Sequence, residues 1–553
     1  DVGRDQQLFT PSHTMIVAGL GGLIFAAAIA ILFASLDEAE VGVRIGFIRV
    51  PWSAMSLMAF GIGGLAAFPL DAMWHNAYGV DVTLWSPSHL QLVFGGSLAT
   101  ITLWLMMREG RRMEATPWHG YKPELTLLGR VIQITVLGAV LVGLSVVQGE
   151  FDFGVPQFQV LYLPILIAAA GGLALVLARI AAGPWGAVKT VIAFLIIRGV
   201  IAMLVGGPFN LTIPRFPTYI VSAGLVEGVA YLLGTQNRLR FSLVSGALVG
   251  TIGVFAEVVY LSSLAEVSPT SAGLAKAAIL APITAIAAAV LGGALARPVG
   301  GGKQVPAVAA LAGGLVLLAA VAYPLPRKVG PVEADIRLQP AGERAIVEVQ
   351  LTPADAADSA TAFGVVSWQG GGRVSAALEE IGPGRFVSSK PLPVSGEWKT
   401  IVGLQRGDQV MAAPVYLPAD PEIGAPEVPA LPERHETFAR NTTWLLRETR
   451  AGAPWAANVA YTGLGGIILV WIGLYVLCAY KLTPTDDDQE EFAEPNLFPT
   501  SRTPQPQPQP APAGHGHGNG QEQEYEVDGR YGLTHRQIVA ASWGAKERPP
   551  GDN

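Results

Sequence analysis

Residues 159–182 read QVLYLPILIAAAGGLALVLARIAA, a stretch of 24 residues in which Arg179 is the only charge. A helix needs about 20 mostly apolar residues to cross the hydrocarbon core of a bilayer, so this stretch predicts a membrane-spanning helix. Ten other stretches have the same apolar character: 14–36, 48–70, 89–107, 127–147, 187–206, 218–235, 241–263, 272–296, 305–324 and 456–480. The sequence therefore predicts an all-α polytopic membrane bundle of about eleven transmembrane helices.

The composition agrees with a membrane protein that carries soluble parts. Of the 553 residues, 51% are hydrophobic and 14% are charged, and the mean hydropathy is +0.41. A soluble domain carries about 25% charged residues. We expect the lipid bilayer as the main partner and no nucleic-acid partner. Cys478 is the only cysteine, so no intrachain disulfide is possible.

The connections between the first ten spans alternate in charge. One set holds eleven lysines and arginines, in the connections 37–47, 108–126, 179–189, 236–240 and 297–303. The other set holds only Arg215, in the connections 71–88, 148–158, 207–217 and 264–271. By the positive-inside rule the first set is cytoplasmic. The sequence thus predicts a multi-pass protein of the plasma membrane.

The chain changes character at Pro324. Alternating runs such as RAIVEVQL (344–351) and TAFGVVSW (361–368) are separated by glycine-rich turn signals, a pattern typical of a small antiparallel β-sandwich. The sequence therefore predicts four parts: a ten-helix membrane domain at 1–324, an inserted extracytoplasmic β-sandwich at 325–435, an amphipathic segment with the last transmembrane helix at 436–481, and a disordered Pro/Gln-rich cytoplasmic tail at 482–553.

The β-sandwich and the tail each suggest an interaction rather than chemistry. We expect strands without histidine or cysteine, and with Met411 as their only sulfur, so the sandwich is predicted to be a scaffold or docking domain and to bind no copper. The tail contains TPQPQPQPAPAGHGHGNGQ (503–521), a polar tract that cannot form a core. A short amphipathic piece, LTHRQIVAASW (533–543), is a candidate docking helix for a cytoplasmic partner.

Scarce ionisable side chains gather in residues 71–89, DAMWHNAYGVDVTLWSPSH. Asp71 and His75 are four residues apart and share one face of a helix. In SPSH, Ser86 is a good N-cap and Pro87 suits the first helical position, which puts His89 in the first turn of the next span. One carboxylate and two imidazoles suit copper or zinc, with iron as a further alternative. The other interpretation is a solvated polar helix junction without metal.

This stretch resembles the metal-site segment of one membrane subunit of the copper membrane monooxygenases, the family of the particulate methane and ammonia monooxygenases. In that family an Asp and a His four residues apart, and a His that opens the following helix in a TPSH motif, bind copper within the membrane. The resemblance covers about 30 residues and implies copper ligands at Asp71, His75 and His89. The spacer between the two histidines is one residue longer here. The supporting matches are Trp74, Asp81, Pro87 and Ser88.

The same signature occurs twice in the chain. Residues 5–13 read DQQLFTPSH and residues 81–89 read DVTLWSPSH, 76 positions later, which indicates duplication of a helix-pair unit. Asp5 and His13 are therefore candidates for a second site or for a contribution to the first. The alternative is a repeated helix-start signal that binds no metal.

Arg198, Glu227 and Glu257 fall within the sixth, seventh and eighth predicted spans. Charges at membrane depth are costly and are paired or functional by default. Their opposite signs suggest a buried ion-pair network, and a proton or ion path is the alternative.

The leading function is an integral membrane metal protein, with copper as the expected cofactor. The resemblance implies that it oxidises a small apolar substrate or ammonia with O₂, as part of a complex with other membrane subunits. The alternatives are a non-enzymatic copper-handling or oxidase-assembly subunit and, third, a transporter that uses the intramembrane charges.

Overall fold

The structure of the chain is a computed structural model that describes residues 11–37, 42–79, 85–114, 126–154, 158–208, 212–264, 270–369 and 372–483. Three features of the sequence lie outside the described residues. They are Asp5, Asp81 and the tail from residue 484 onward, with its Pro/Gln-rich tract and the stretch 533–543.

Helices make up most of the described chain, and three short segments continue them as 3₁₀ or π turns. The α-helices are α1 (Pro11–Leu36), α2 (Trp52–Tyr78), α3 (Pro87–Glu114), α4 (Leu127–Ser145), α5 (Gly149–Phe153), α6 (Tyr162–Ala182), α7 (Gly186–Gly206), α8 (Ile220–Leu233), α9 (Arg238–Leu248), α10 (Val254–Leu264), α11 (Ser271–Leu295), α12 (Ala307–Ala322), α13 (Asn441–Leu445) and α14 (Pro454–Lys481). A π turn joins α9 to α10, and a 3₁₀ turn joins α4 to α5.

Nine of these described helical segments are long and apolar enough to cross a membrane, counting α4–α5 and α9–α10 as one segment each. The other two expected spans correspond to α8 and α12, apolar helices of 14 and 16 residues. The chain is thus helical and multi-pass in character, with nine rather than eleven segments of spanning length. Prolines explain the shortening, because a proline removes a helix hydrogen bond and clashes with the preceding turn. Pro214 and Pro217 precede α8, and Pro306 and Pro324 bound α12.

Helix α6, which takes up residues 162–182 of the stretch QVLYLPILIAAAGGLALVLARIAA, lies at the centre of the bundle. In its most apolar window 78% of the residues are buried, the largest share among the described spans. It packs closely on α11, where a Cβ on Gly172 would stand 2.6 Å from the carbonyl oxygen of Ala285 and a Cβ on Gly292 would stand 2.3 Å from that of Leu173. Small residues of this kind let helix backbones approach in membranes.

The described strands form two units. The first is a hairpin between α1 and α2, made of β1 (Val43–Ile45) and β2 (Ile48–Val50). The second is the β-rich domain, whose strands are β3 (Glu333–Ala341), β4 (Arg344–Thr352), β5 (Ala360–Gln369), β6 (Gly372–Gly382), β7 (Arg385–Ser388), β8 (Leu392–Pro393), β9 (Lys399–Arg406), β10 (Gln409–Tyr416), β11 (Glu433–Thr437) and β12 (Ala439–Arg440).

The β-rich domain is antiparallel and barrel-like. Its strand order is β11-β3-β4-β7-β6-β5-β9-β10-β12, and β8 pairs with β4. Strand β6 pairs with β5 through its first half and with β7 through its second half, so it passes from one sheet layer to the other. Alternate apolar residues such as Val347, Val349 and Leu351 of β4 point into the shared core. The last strand of this sheet, β12, ends at Arg440.

The β-rich domain contacts one end of the helix bundle. Gln405 of β9 accepts a hydrogen bond from the backbone N–H of Val160 at 2.8 Å, and Gln159 donates to the carbonyl of Gly407 at 2.8 Å. Thr270, at the start of α11, donates to the carbonyl of Ala360 at 2.6 Å. These contacts lie in or directly beside the connections 148–158 and 264–271, which contain no lysine or arginine.

Candidate metal centre

Asp71, His75 and His89 come together where α2 ends and α3 begins. One ligand atom from each lies within 4.8 Å of the other two. Asp71 Oδ2 is 3.6 Å from His75 Nε2, and Asp71 Oδ1 is 3.4 Å from His89 Nε2. The two imidazole rings are nearly perpendicular, with centroids 6.0 Å apart. The three residues singled out in the sequence therefore form one cluster.

Local sequence explains this geometry. Asp71 and His75 project from one face of α2 because they are four residues apart. On the other side Ser86 Oγ accepts a hydrogen bond from the backbone N–H of His89 at 3.2 Å, and Pro87 is the first residue of α3. A capped helix start with proline at its first position fixes the first turn. That turn sets His89 opposite the last turns of α2.

A buried serine orients the carboxylate. Ser88 Oγ donates to Asp71 Oδ1 at 2.7 Å, and Ser86 Oγ lies 3.2 Å from Ser88 Oγ. Both serines are buried. Hydrogen bonds from neighbouring side chains to a ligand hold it in the orientation that a metal requires. The outcome is that Asp71 faces both histidines at once.

The cluster fits a first-row metal ion. His75 Nε2 is buried and has no hydrogen-bond partner in the described chain, since its nearest carboxylate oxygen at 3.6 Å is too far for a hydrogen bond. Ligand atoms that share one such ion at about 2.0–2.2 Å lie about 3–4 Å from one another. The distances from the Asp71 oxygens to the two imidazole nitrogens fall in that range. The residues present therefore match the size and chemistry of the ion.

Aromatic side chains pack beside the cluster. Trp74 stacks on Tyr78 with ring centroids 4.2 Å apart and meets the edge of Tyr461 at 6.0 Å. Tyr461, on α14, donates its hydroxyl to the carbonyl of Trp85 at 2.9 Å. The last span thus contacts both sides of the α2–α3 junction. Trp74 supports the end of α2 through these rings.

The expected second site is only partly described. His13 lies near the start of α1, and its ring meets the edge of Phe68 with centroids 5.8 Å apart. Asp5 and Asp81 lie outside the described residues. Among the described residues, the cluster of Asp71, His75 and His89 is the only group of three or more His, Cys, Asp or Glu that could share a metal ion. His13 is not part of it.

Arg198, Glu227 and Glu257 each have their own partners in the structure. Arg198 of α7 forms an ion pair with Asp152 of α5, and its guanidinium lies 4.6 Å from the ring centroid of Phe216. Glu227 and Glu257 bind backbone N–H groups at other helix starts. The pair with Asp152 ties α7 to the segment between α4 and α6.

Glu227 of α8 binds the first residues of α7. Its carboxylate accepts hydrogen bonds from the backbone N–H groups of Ala187 at 2.8 Å and Trp185 at 3.1 Å, at the start of α7. Arg179 of α6 forms an ion pair with it at 2.8 Å. The first N–H groups of a helix have no partner within the helix. Glu227 therefore caps α7 from α8, an arrangement we name a cross-helix carboxylate cap.

Glu257 makes a second cross-helix carboxylate cap. Its carboxylate accepts from the backbone N–H of Thr218 at 2.8 Å, from the Thr218 hydroxyl at 3.0 Å and from the backbone N–H of Tyr219 at 2.5 Å. Those groups immediately precede α8. Non-helical backbone at membrane depth requires such partners inside the protein. Glu257 thus stabilises the end of the non-helical segment 212–219 that precedes α8.

Two charged residues were missed in the sequence. Asp152 lies in a connection with few basic residues, where an acid is expected to be solvated, and only the fold brings it to Arg198. Glu109 lies just past an apolar run, yet it is buried and accepts from the backbone N–H groups of Trp52 at 2.9 Å and Ser53 at 2.8 Å. It forms a third cross-helix carboxylate cap, at the start of α2. A charge at the very edge of an apolar run was the only available signal.

Strand β11 of the β-rich domain contains His435, whereas strands without histidine were expected. Its Nδ1 lies 2.8 Å from Asp335 Oδ1 and its Nε2 lies 3.7 Å from Glu333 Oε2. The hydrogen bond to Asp335 raises the pKa of His435 above its ordinary value. The side chain is exposed and does not belong to the metal cluster, which makes it a useful control.

The chain matches no protein-family model, no curated protein and no solved structure. The geometry of the cluster and its place in the fold are therefore the observations that bear on function.

Proposed function

We propose that the chain is an integral membrane metal protein that binds one first-row metal ion through Asp71, His75 and His89. The convergence of a carboxylate and two imidazoles, with His75 Nε2 buried and lacking any other partner in the described chain, carries the proposal. Imidazole and carboxylate ligands suit copper, zinc and iron, and the resemblance to the copper membrane monooxygenases favours copper.

The ligands belong to the last turns of one span and the first turn of the next, so the site is positioned by helix geometry. Both histidines bind in the neutral form, and the carboxylate supplies the negative charge. Ser88 orients the carboxylate, and the rings around Trp74 fix the helix end. Three protein ligands leave coordination positions open for O₂ or a small molecule, and copper in such a site supplies redox chemistry.

The proposed reaction class is oxidation of a small apolar molecule or ammonia by O₂, together with other membrane subunits. We also propose that the cluster and the β-rich domain lie on the extracytoplasmic side of the plasma membrane and that the tail is cytoplasmic. This orientation is supported by the charge asymmetry of the connections, and by the contact of the β-rich domain with the connections that have few basic residues.

Metal analysis of the purified full chain tests the site. We expect one copper, zinc or iron ion per chain after loading and removal of loosely bound metal. Asp71→Ala, His75→Ala and His89→Ala should each lower the metal content by more than about tenfold, and their pairwise combinations should lose little more, because a lost site cannot be lost twice. His435→Ala is the matched control and should retain full occupancy. Wild-type occupancy in His75→Ala would refute the site.

A non-enzymatic copper-handling or oxidase-accessory role is the second candidate. It is favoured by the partial exposure of the ligands, since the side chains of Asp71, His75 and His89 are 17%, 18% and 24% exposed. Ligands open to solvent allow exchange of the ion with a carrier. Rapid removal of bound copper by a soluble chelator, without loss of folded protein, would favour this role over catalysis.

A further inference from the structure

The hairpin of β1 and β2 has two chemically different faces. Its register pairs Val43 with Val50, Arg44 with Arg49 and Ile45 with Ile48. Because successive side chains of a strand point to opposite faces, the four β-branched residues share one face and the two arginines share the other. Phe47 lies at the tip beside Gly46, whose φ of 63° permits the tight turn.

The apolar part of this hairpin is exposed in the described chain. Phe47 is 86% exposed, Ile45 62% and Ile48 37%. The hairpin is attached to the end of α1 through Ser35, whose hydroxyl accepts from the backbone N–H of Arg49 at 2.8 Å. A two-stranded hairpin is marginally stable in water by itself. It needs a further surface on its apolar side.

The helices on either side of the hairpin indicate which surface its apolar face meets. The hairpin joins the last turn of α1 to the first turn of α2, and both helices are of membrane-spanning length. At the same level, Lys481 at the end of α14 lies 5.4 Å from the ring centroid of Trp52 at the start of α2. Trp and Lys are typical anchors of helix ends at the lipid–water boundary. The hairpin therefore lies at the edge of the bilayer.

The arginine face of the hairpin also favours contact with the bilayer. Arg44 and Arg49 stand directly opposite each other across the two strands, and like charges in that position repel. A phosphate headgroup between them relieves the repulsion. Acidic residues precede the hairpin at Asp37, Glu38 and Glu40, so burial of the apolar face, rather than net charge, supplies most of the attraction.

We propose that residues 43–50 are an interfacial anchor that inserts Ile45, Phe47 and Ile48 at the lipid–water boundary and holds phospholipid phosphates with Arg44 and Arg49. Its partner is a phospholipid surface. This inference is independent of the metal site and of the direction in which the chain crosses the membrane.

Spin labelling of the full chain in phosphatidylcholine nanodiscs tests the anchor. In a Cys478→Ala background, nitroxides at Phe47→Cys and Ile45→Cys should collide severalfold more with oxygen than with a water-soluble nickel chelate. Leu469→Cys, 69% exposed on α14, is the lipid-facing control. Glu343→Cys, in the exposed turn between β3 and β4, is the water-facing control.

Two results would overturn the proposal. Collision with the nickel chelate at the level of Glu343→Cys would place the hairpin in water. Protection of both labels from both reagents would show that another protein surface, a second copy included, covers the face. Agreement of the Phe47 and Ile45 labels guards against a local effect of either substitution.

Discussion

The backbone N–H of Arg450 donates to the carbonyl oxygen of Tyr78 at 2.7 Å. Tyr78 in turn donates its hydroxyl to the carbonyl of Ala453 at 2.6 Å. The segment between the β-rich domain and α14 thus holds the last turn of α2, which also carries His75. The carbonyl of His75 accepts from the N–H of Gly79 at 2.9 Å, so hydrogen bonds link the end of α2, where the cluster of Asp71, His75 and His89 lies, to the segment that follows the β-rich domain.

Gly452→Ala should weaken metal binding although it changes no ligand. A Cβ at Gly452 would stand 2.3 Å from the ring of Tyr78, so the ring and the turn beneath it must shift. We expect a loss of metal affinity of about tenfold, the lower end of what changes in the groups that support metal ligands produce. Competitive titration with zinc measures it. Gly465→Ala, which would meet nothing within 4 Å, should bind as the wild type does; equal affinity in both variants would contradict the connection.

Ser88→Ala and Ser86→Ala should separate metal affinity from helix stability. Ser88 binds the Asp71 carboxylate, so its loss should lower metal affinity by about 10–100-fold. The Ser86 hydroxyl accepts a hydrogen bond from the backbone N–H of His89, so removal of that hydroxyl should lower the free energy of unfolding by about 1 kcal/mol. Metal titration and denaturant unfolding of the metal-free protein should give opposite rankings of the two variants. The same ranking in both assays would argue against an orienting role for Ser88.

Asp152→Ala should be strongly destabilising because it leaves Arg198 without its ion-pair partner. Removing one member of a buried pair costs about 3–5 kcal/mol, whereas replacing both with apolar residues is often neutral. We therefore expect Asp152→Leu combined with Arg198→Met to unfold closer to wild type than Asp152→Ala does. Unfolding in mixed detergent measures the difference. A double variant no more stable than the single one would show that the pair does more than balance charge.

The proposed orientation predicts opposite labelling at two exposed positions. In the Cys478→Ala background, Glu343→Cys should react with a membrane-impermeant maleimide on intact cells, and Lys189→Cys should react only after lysis. Both side chains are exposed, so access alone decides the result. The reverse pattern would place the metal cluster on the cytoplasmic side.

Much of the architecture could be predicted because long apolar runs admit few alternatives. The apolar stretch around Leu173 forms the central helix α6. The four-residue spacing of Asp71 and His75 places both on one face of α2. Hydropathy averages over prolines, so it did not show that residues 212–219, which include Pro214 and Pro217, would be non-helical.

The partners of the buried charges could not be read from the sequence. Arg198 meets Asp152 and Glu257 meets Tyr219 only after the helices have packed, and no local spacing encodes those contacts. The metal cluster is different, because its three residues belong to adjoining helix ends whose start and stop signals are local. Sites built from neighbouring helix termini are therefore more visible in a sequence than sites built across the bundle.

The cross-helix carboxylate caps have a consequence for the order of assembly. In each of the three, the carboxylate comes later in the chain than the amides that it binds: Glu109 for α2, Glu227 for α7 and Glu257 for the residues before α8. During synthesis the earlier helix therefore leaves the ribosome with open N–H groups, which are costly to leave in lipid. The N–H groups at the start of α2 are satisfied only after α3 has been made. The same holds for α7, which requires α8, and for the start of α8, which requires α10. At these three positions a later helix supplies the group that satisfies the start of an earlier one.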